Sequence, residues 1–535
     1  MGRSDEFGDS VACPRFSVLR MSDFILFNAN AITMDPARPS AQLVAIEGGK
    51  ISQVAGNEML GVLKSKKTQI LDCAGKTLLP GFIDAHCHVH AYAENLVSLN
   101  LSPGENIHSI PDIQDRIRAL CQNLPPGTWI RGKAYNEFYL SEKRHPNRRD
   151  LDAAAPLHPV KLTHRSGHAH VLNSLALKMA AIDEETGDPP GSLIDRDISG
   201  LPTGILYGFG GYLAKKIPAL EDEDLERGVG LVNQKLISYG ITSIQDASSV
   251  NGPDSWRRFE KWKTKGILQP RVTMMTGGKA FLDSDCKAVK ACGMPALPVN
   301  QLRPGGVKII ADEITGSLHP SAEELNDAVA AIHEAGLQAA IHAIEEPVIE
   351  AAANAVESVL KKIPRRDHRH RIEHCSLCRP ALLRRLARLG IAIVTQPAFI
   401  YYNGGRYRQT VPGDQLEFLY PVRSMLEHGI LLGAGSDFPV VDPNPLVSIH
   451  AAVTRQTEEG AVVSQQRISV LDAIRMHTIG AAAAGFEEGI KGSLSPGKLA
   501  DIVMLSENPF EVDPDQLKNI RVVMTIIGDR IIPNS

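Results

Sequence analysis

The stretch Leu79-Pro80-Gly81-Phe82-Ile83-Asp84-Ala85-His86-Cys87-His88 runs an apolar segment, Thr77 to Ile83, into two histidines one residue apart. On a strand, positions i and i+2 share a face, so His86 and His88 aim both imidazoles at one point. Neutral imidazole is the commonest metal ligand. Chance also leaves such pairs at strand ends. The reading therefore turns on whether later strands deliver ligands to the same place.

Further strand-like runs lie at 241–246, 271–276, 306–311, 337–342, 371–374, 391–396 and 431–436, after the first at 79–86. Helical patterns separate most of them. Ser321 to Gly336 opens with a capping signal, Ser321 with Glu324 three residues on, and keeps Leu325, Val329 and Ile332 at helical spacing. Arg379 to Leu389 stops at Gly390, and Ser469-x-x-Asp472 opens another helix. Eight strands alternating with helices predict an α/β fold, a (β/α)8 TIM-like barrel over 79–488, with a doubly wound sheet as the other arrangement the pattern allows. A ninth run, Pro159 to Thr163, does not fit the count. It falls in a long interval, and about 105–225 reads as an insertion after strand one, a lid or specificity element.

Both ends of the chain are β-rich. Leu43 to Ile46 and Ile51 to Val54 are joined through Gly48-Gly49, and Val522 to Ile527 turns at Gly528-Asp529 into Arg530-Ile531-Ile532. Segments 22–78 and 489–535 together predict one small composite β-sandwich domain. Residues 1–21 read as a disordered tail or a non-native extension.

In a barrel, the C-terminal strand ends converge on one mouth. They carry His86 and His88 on strand one, Lys308 on four, His342 on five, His374 on six and Asp437 on eight. Four histidines and an aspartate at one end suit a Zn2+-like ion, one or two of them, with positions left for water. Lys308 sits between Val307 and Ile309, where a buried ammonium is costly and its pKa falls. A neutral amine there can take up CO2 as a carbamate that bridges two ions. The alternative is a lysine paired with Asp312 or Glu373.

Hydrophobic content of 43%, charged content of 22% and a net charge of −4 describe an ordinary globular chain. No basic face argues for nucleic acid, and no apolar run approaches the roughly 18 residues of a membrane helix. Eight scattered cysteines do not form a disulfide framework, and with no secretory signal they point to the cytoplasm. Cys375-x-x-Cys378 has redox spacing without the usual flanking context.

Taken together, Pro80 to His88, Arg165-Ser-Gly-His-Ala-His-Val-Leu-Asn-Ser174, Asp195 to Gly204, Val307 to Asp312, Ile341-His-Ala343, Arg371-Ile-Glu-His374, Gly435 to Val440 and Gly497 to Val503 resemble the amidohydrolase superfamily. The likeness is to its amidohydrolase-3, YtcJ-like branch, from about residue 22 to the end. It implies a metal-dependent barrel that hydrolyses non-peptide C–N bonds of amides, N-formyl or N-acyl amines, with water activated at the metal. It makes His86, His88, His342 and His374 ligands, Lys308 the bridging carbamate, and Asp437 a ligand and the catalytic carboxylate. The implied partner is a small-molecule substrate, and a homo-oligomer is compatible with it. His168, or alternatively His170, with Asn173 and Gln396, are candidates to bind substrate; the other reading of Asn173 is a helix cap. Two other functions fit the same pattern: an aminohydrolase acting on a ring carbon, by deamination or dechlorination, and a non-catalytic barrel scaffold. The branch carries Asp-Gly after the lysine strand and Gly-Asp after the strand-five histidine. This chain has Asp312-Glu313 and Ile344-Glu345-Glu346 instead, which leaves cationic substrates open.

Overall fold

A computed structural model describes residues 23–189, 191–283, 298, 301–314, 317–463 and 465–534. The expected tail at 1–21 lies outside the described residues. Eight strands form one parallel sheet: β1 Phe82–Cys87, β2 Ile241–Asp246, β3 Arg271–Gly277, β4 Leu302–Ile310, β5 Ala339–Ala343, β6 Arg371–His374, β7 Ala392–Thr395 and β8 Leu432–Ala434. They pair in sequence order from β1 to β8, as a TIM-like barrel requires.

No ladder joins β8 to β1. The seam is closed by bonds just past the end of β8. Asp437 N–H donates to His86 O at 2.7 Å, and His88 N–H donates to Phe438 O at 3.0 Å. Ser436 gives its N–H and its hydroxyl to the Asp84 carboxyl at 3.0 and 2.6 Å. A Cβ at Gly435 would stand 2.5 Å from His86 N, so glycine is what lets the two ends close on each other.

The run expected at 79–86 is two strands. Thr77–Pro80 pairs antiparallel with Asp501–Leu505, outside the barrel, and the chain turns inward at Gly81 to start β1. That outer strand belongs to a six-stranded sheet built from both ends of the chain, which packs with the four-stranded sheet of Phe24–Phe27, Leu43–Glu47, Lys50–Ala55 and Gln69–Asp72. The Gly48-Gly49 turn has φ of +57° and +71° at both central positions, the left-handed pair that a tight hairpin needs.

The barrel's main core lies between its strands and the surrounding helices. The helix Pro253–Thr264 shows why: Trp256, Phe259 and Trp262 recur every three residues and are 7%, 2% and 2% exposed. Burying such side chains contributes about 1.5–3 kcal/mol each. The helix Ala322–Glu334 carries the expected capping box of Ser321 and Glu324, and Gly390 ends Pro380–Leu389 with φ +69°. The ninth run, Val160–His164, is part of a six-stranded sheet between β1 and β2, flanked in it by Ile130–Tyr135 and Ala169–Leu172. That insertion has its own core around Leu101, Ile113, Ile117 and Leu162.

Candidate metal centre

The strand ends gather the four histidines and Asp437 into one cluster. The rings of His86 and His88 are 5.2 Å apart, those of His86 and His374 4.9 Å, and those of His342 and His374 4.4 Å. Nε2 of His88 lies 2.9 Å from Asp437 Oδ1, and Nε2 of His86 lies 3.5 Å from the same oxygen. His86, His88 and Asp437 present one donor atom each within 4.8 Å of one another. His88 lies beyond the strand, at the cap of the helix Val89–Leu96, so the strict i, i+2 strand geometry holds only for its chain spacing.

Two ligand candidates depend on unusual backbone. His374 has φ +74° and Asp437 φ +58°, left-handed values that cost about 1–3 kcal/mol each for a non-glycine residue and persist where surrounding structure enforces them. Consecutive strand residues normally face opposite sides. The left-handed turn at His374 lets Glu373 and His374 both reach His86: Glu373 Oε2 bonds its Nδ1, and the His374 ring packs against its ring.

Lys308 is 1% exposed, and its Nζ has no hydrogen-bond partner among the described residues. Neither pairing weighed from sequence is made. The Glu373 oxygens go to His86 and to Arg371 Nε, and Asp312 bonds in its own hairpin. Burial lowers the Lys308 pKa to about 8, against the opposing pull of Glu373 and Asp437. The Lys308 charge opposes protonation of His86, His342 and His374. Burial first, and then neighbouring cationic groups, hold the His86 and His342 imidazoles well below the usual range. Burial raises Asp437, but the His88 hydrogen bond and the charges of His86, His88 and His374 outweigh it and hold the carboxyl well below the usual range.

These groups fit a divalent ion. Among the described residues, the Lys308 amine and His342 Nε2 have no hydrogen-bond partner, and two imidazole nitrogens, His374 Nε2 and His342 Nδ1, face each other at 2.9 Å. A buried polar site of this kind is costly without a partner, and its donors are those a zinc-like ion accepts.

Gln396 is fully buried, and its Oε1 lies 2.8 Å from His374 Nδ1. That contact turns His374 Nε2 toward His342, the second-layer role that orients metal ligands. His168 is exposed on the insertion and acts electrostatically on His342. Asn173 is not brought to the centre. It is fully buried, accepts from Val160 and Ala176 N–H, and donates to Ala155 and His158 carbonyls. It caps the helix Ser174–Met179, the alternative read from sequence. His170 is also buried and bonds Thr163. Glu346 pairs with Arg379, and Glu313 and Glu345 are exposed. Cys375 and Cys378 are free and fully buried, and the Cys378 hydrogen bond and burial raise the Cys375 thiol.

Sequence reading passed over the layer beneath the ligands. Glu373 holds His86, Arg371 holds Glu373, and Arg371 NH1 and NH2 donate to Gln245 Oε1 at 2.6 Å and Ala85 O at 3.0 Å. Arg371 and Glu373 are i, i+2 on β6 and so share the inward face. That alternation was the signal available in the sequence. Asp84, raised to about 7 by burial, is the seam clamp.

The chain is 29% identical to an N-substituted formamide deformylase from Arthrobacter pascens, over 95% of this chain and 98% of that one. It is 27% identical to YtcJ of Bacillus subtilis (strain 168), over 92% and 96%. Among solved structures, an uncharacterized metal-dependent hydrolase from Pyrococcus horikoshii superposes with a TM-score of 0.73 at 22% identity, covering 92% of this chain and 99% of that one. Residues 69–533 match the amidohydrolase family model, in its amidohydrolase-3 branch, and with the barrel and its strand-end cluster this places the chain in the amidohydrolase family.

Proposed function

We propose that this hydrolase cleaves the C–N bond of an N-formyl or N-acyl amine, with His86, His88, His342, His374, Asp437 and a carbamylated Lys308 holding one or two Zn2+ ions. The observations that carry the reading are the clustering of four histidines and Asp437 and a buried Lys308 amine without a hydrogen-bond partner among the described residues. The resemblance to the formamide deformylase supports the substrate class. When bound, such an ion polarises the substrate carbonyl and lowers the pKa of its water toward ~7.

The protein's own groups do the rest. Asp437 is ionised and hydrogen-bonded through Oδ1 to His88, which leaves its other oxygen to take a proton from the attacking water. A C–O bond forms at the carbonyl carbon and the C–N bond breaks. Asp437 returns the proton to the departing nitrogen, so the products are a carboxylic acid and an amine. Gln396 and Glu373 keep His374 and His86 turned to the centre. His168, on the inserted lid over the mouth, contacts the polar end of the substrate.

The test pairs elemental analysis with a screen of N-formyl and N-acyl amines. Metal-loaded protein is expected to release amine from at least one of them. Turnover of ring amines or ring chlorides alone, with none of the amides cleaved, would replace this reading with the aminohydrolase one.

A further inference from the structure

Beside the metal centre, a cavity of about 610 Å³ opens between the insertion and the barrel rim, within the size range of small-molecule sites. Its walls grow from the segments that carry metal-ligand candidates. Val440 N–H donates to Asp437 O at 2.9 Å, and Tyr92 N–H donates to His88 O at 3.0 Å. On the insertion side, Arg165 NH2 donates to Val440 O at 3.1 Å. Arg165 is three residues from His168, so its Cα is at most about 11 Å from that of His168, which itself acts electrostatically on His342. Tyr92 and Val440 thus bring the cavity wall within one hydrogen-bonded turn of two ligand candidates, His88 and Asp437.

The lining carries carboxylates at Asp442, Glu458 and Glu459 and cations at Arg165 and Lys235. Asn136 is 2% exposed; its Oδ1 accepts from Phe138 N–H at 3.2 Å, while its Nδ2 has no hydrogen-bond partner among the described residues. The Arg165 guanidinium makes no ion pair among the described residues and donates to Val440 O, while the Arg165 backbone N–H donates to Tyr135 O at 3.0 Å. The other lining cation, Lys235, is already engaged by Asp442 at 2.5 Å and lies over the ring of Tyr92. Glu458 and Glu459 are exposed at the cavity's edge, where water screens them. The inner donors remain unmatched. A buried donor without an acceptor is costly, and a guanidinium suits a carboxylate; Arg165 and Asn136 line the same cavity.

We propose that this cavity seats a carboxylate arm of the substrate on Arg165 and Asn136, so that the preferred amides carry a carboxylate away from the scissile bond. This inference rests on the C–N hydrolase reading above.

The experiment compares a matched pair, N-acetyl-6-aminohexanoate and N-acetylhexylamine, on metal-loaded full-length protein. The acid is expected to win by at least tenfold in kcat/KM, mainly through KM. Arg165→Met and Asn136→Asp should each cut that ratio at least tenfold; the second keeps the Oδ1 cap while replacing the donor with a repelling oxygen. A ratio near one in the parent, or one that neither variant moves, overturns the inference and leaves the hydrolase reading standing. Calorimetry with hexanoate separates the two claims if neither amide is cleaved. Binding that weakens at least tenfold in Arg165→Met supports the carboxylate seat without the chemistry, and binding indifferent to that change overturns it.

Discussion

Nε2 of His374 lies 2.9 Å from Nδ1 of His342, with Gln396 Oε1 on the opposite edge of the His374 ring. Gln396 takes the Nδ1–H of a neutral His374, so a lone pair points at His342. Burial keeps both imidazoles below their usual pKa. At 2.9 Å the two nitrogens are spaced for a shared proton, and Nε2 of His342 is left without a hydrogen-bond partner among the described residues.

Removing either half of the donor set should empty the site. His86→Ala/His88→Ala and His342→Ala/His374→Ala are expected to lose bound metal while keeping the far-ultraviolet spectrum of the parent. Elemental analysis checks this. Parent-level zinc in both double variants would show that the ion sits elsewhere.

Lys308 presents a trade-off. Lys308→Met removes a buried, unpartnered amine, so metal-free protein should gain about 1–3 kcal/mol in urea unfolding. Activity should collapse. In Lys308→Ala, short carboxylic acids are expected to restore part of it by standing in for the carbamate, and mass spectrometry of the native parent should show the added CO2.

Asp437→Asn keeps size and one oxygen but cannot accept a proton at neutral pH. Turnover should fall about 10²–10⁴-fold, the worth of general acid–base catalysis, with much of the metal retained. Activity within a few-fold of the parent would rule out the proton route through this residue.

Glu373→Gln tests the layer beneath. Glu373 bonds His86 and Arg371 at once, and loss of such a partner costs about 10–100-fold in metal affinity. Competition with a chelator reads it directly, and an unchanged affinity would reduce Glu373 to a packing residue.

Acid stability follows from the other end of the barrel. His370 Nδ1 accepts from Ala339 N–H at 2.9 Å, and its Nε2 meets His333 Nδ1 at 2.8 Å. Burial, then His368, Arg365 and His333, lower His370 to about 2. An unfolded imidazole takes up its proton near pH ~6.5. The unfolded state thus binds more protons below that pH, and stability falls as pH drops, by up to ~1.4 kcal/mol per pH unit for this site. Urea midpoints from pH 8 to 5 should show the fall beginning near 6.5. His370→Phe should be less stable at pH 8 and less sensitive to acid.

The barrel was legible in the sequence because its strands are buried on both faces and read as short apolar runs at regular spacing. The ligand candidates were legible because a barrel sends every strand's C-terminal end to the same mouth, so His86, Lys308, His342, His374 and Asp437 could be matched by position alone. The break at Gly81 was not. Thr77–Pro80 and Phe82–Cys87 are one apolar run in sequence, and only pairing with Asp501–Leu505 or Ile241–Asp246 assigns them to different sheets.

What only the tertiary structure decided depends on partners distant in the chain. The sequence left open an ion pair of Lys308 with Glu373, whose oxygens are taken by His86, 287 residues away, and by Arg371. Asn173 carries the same side chain whether it meets a substrate or a helix end; burial against Ala155 and His158 decided it. His374 shows the general reason. Strand alternation would put it opposite Glu373, and a left-handed φ of +74° turns it into the site instead. Backbone strain of that kind is imposed by packing around the residue, and local sequence does not encode it.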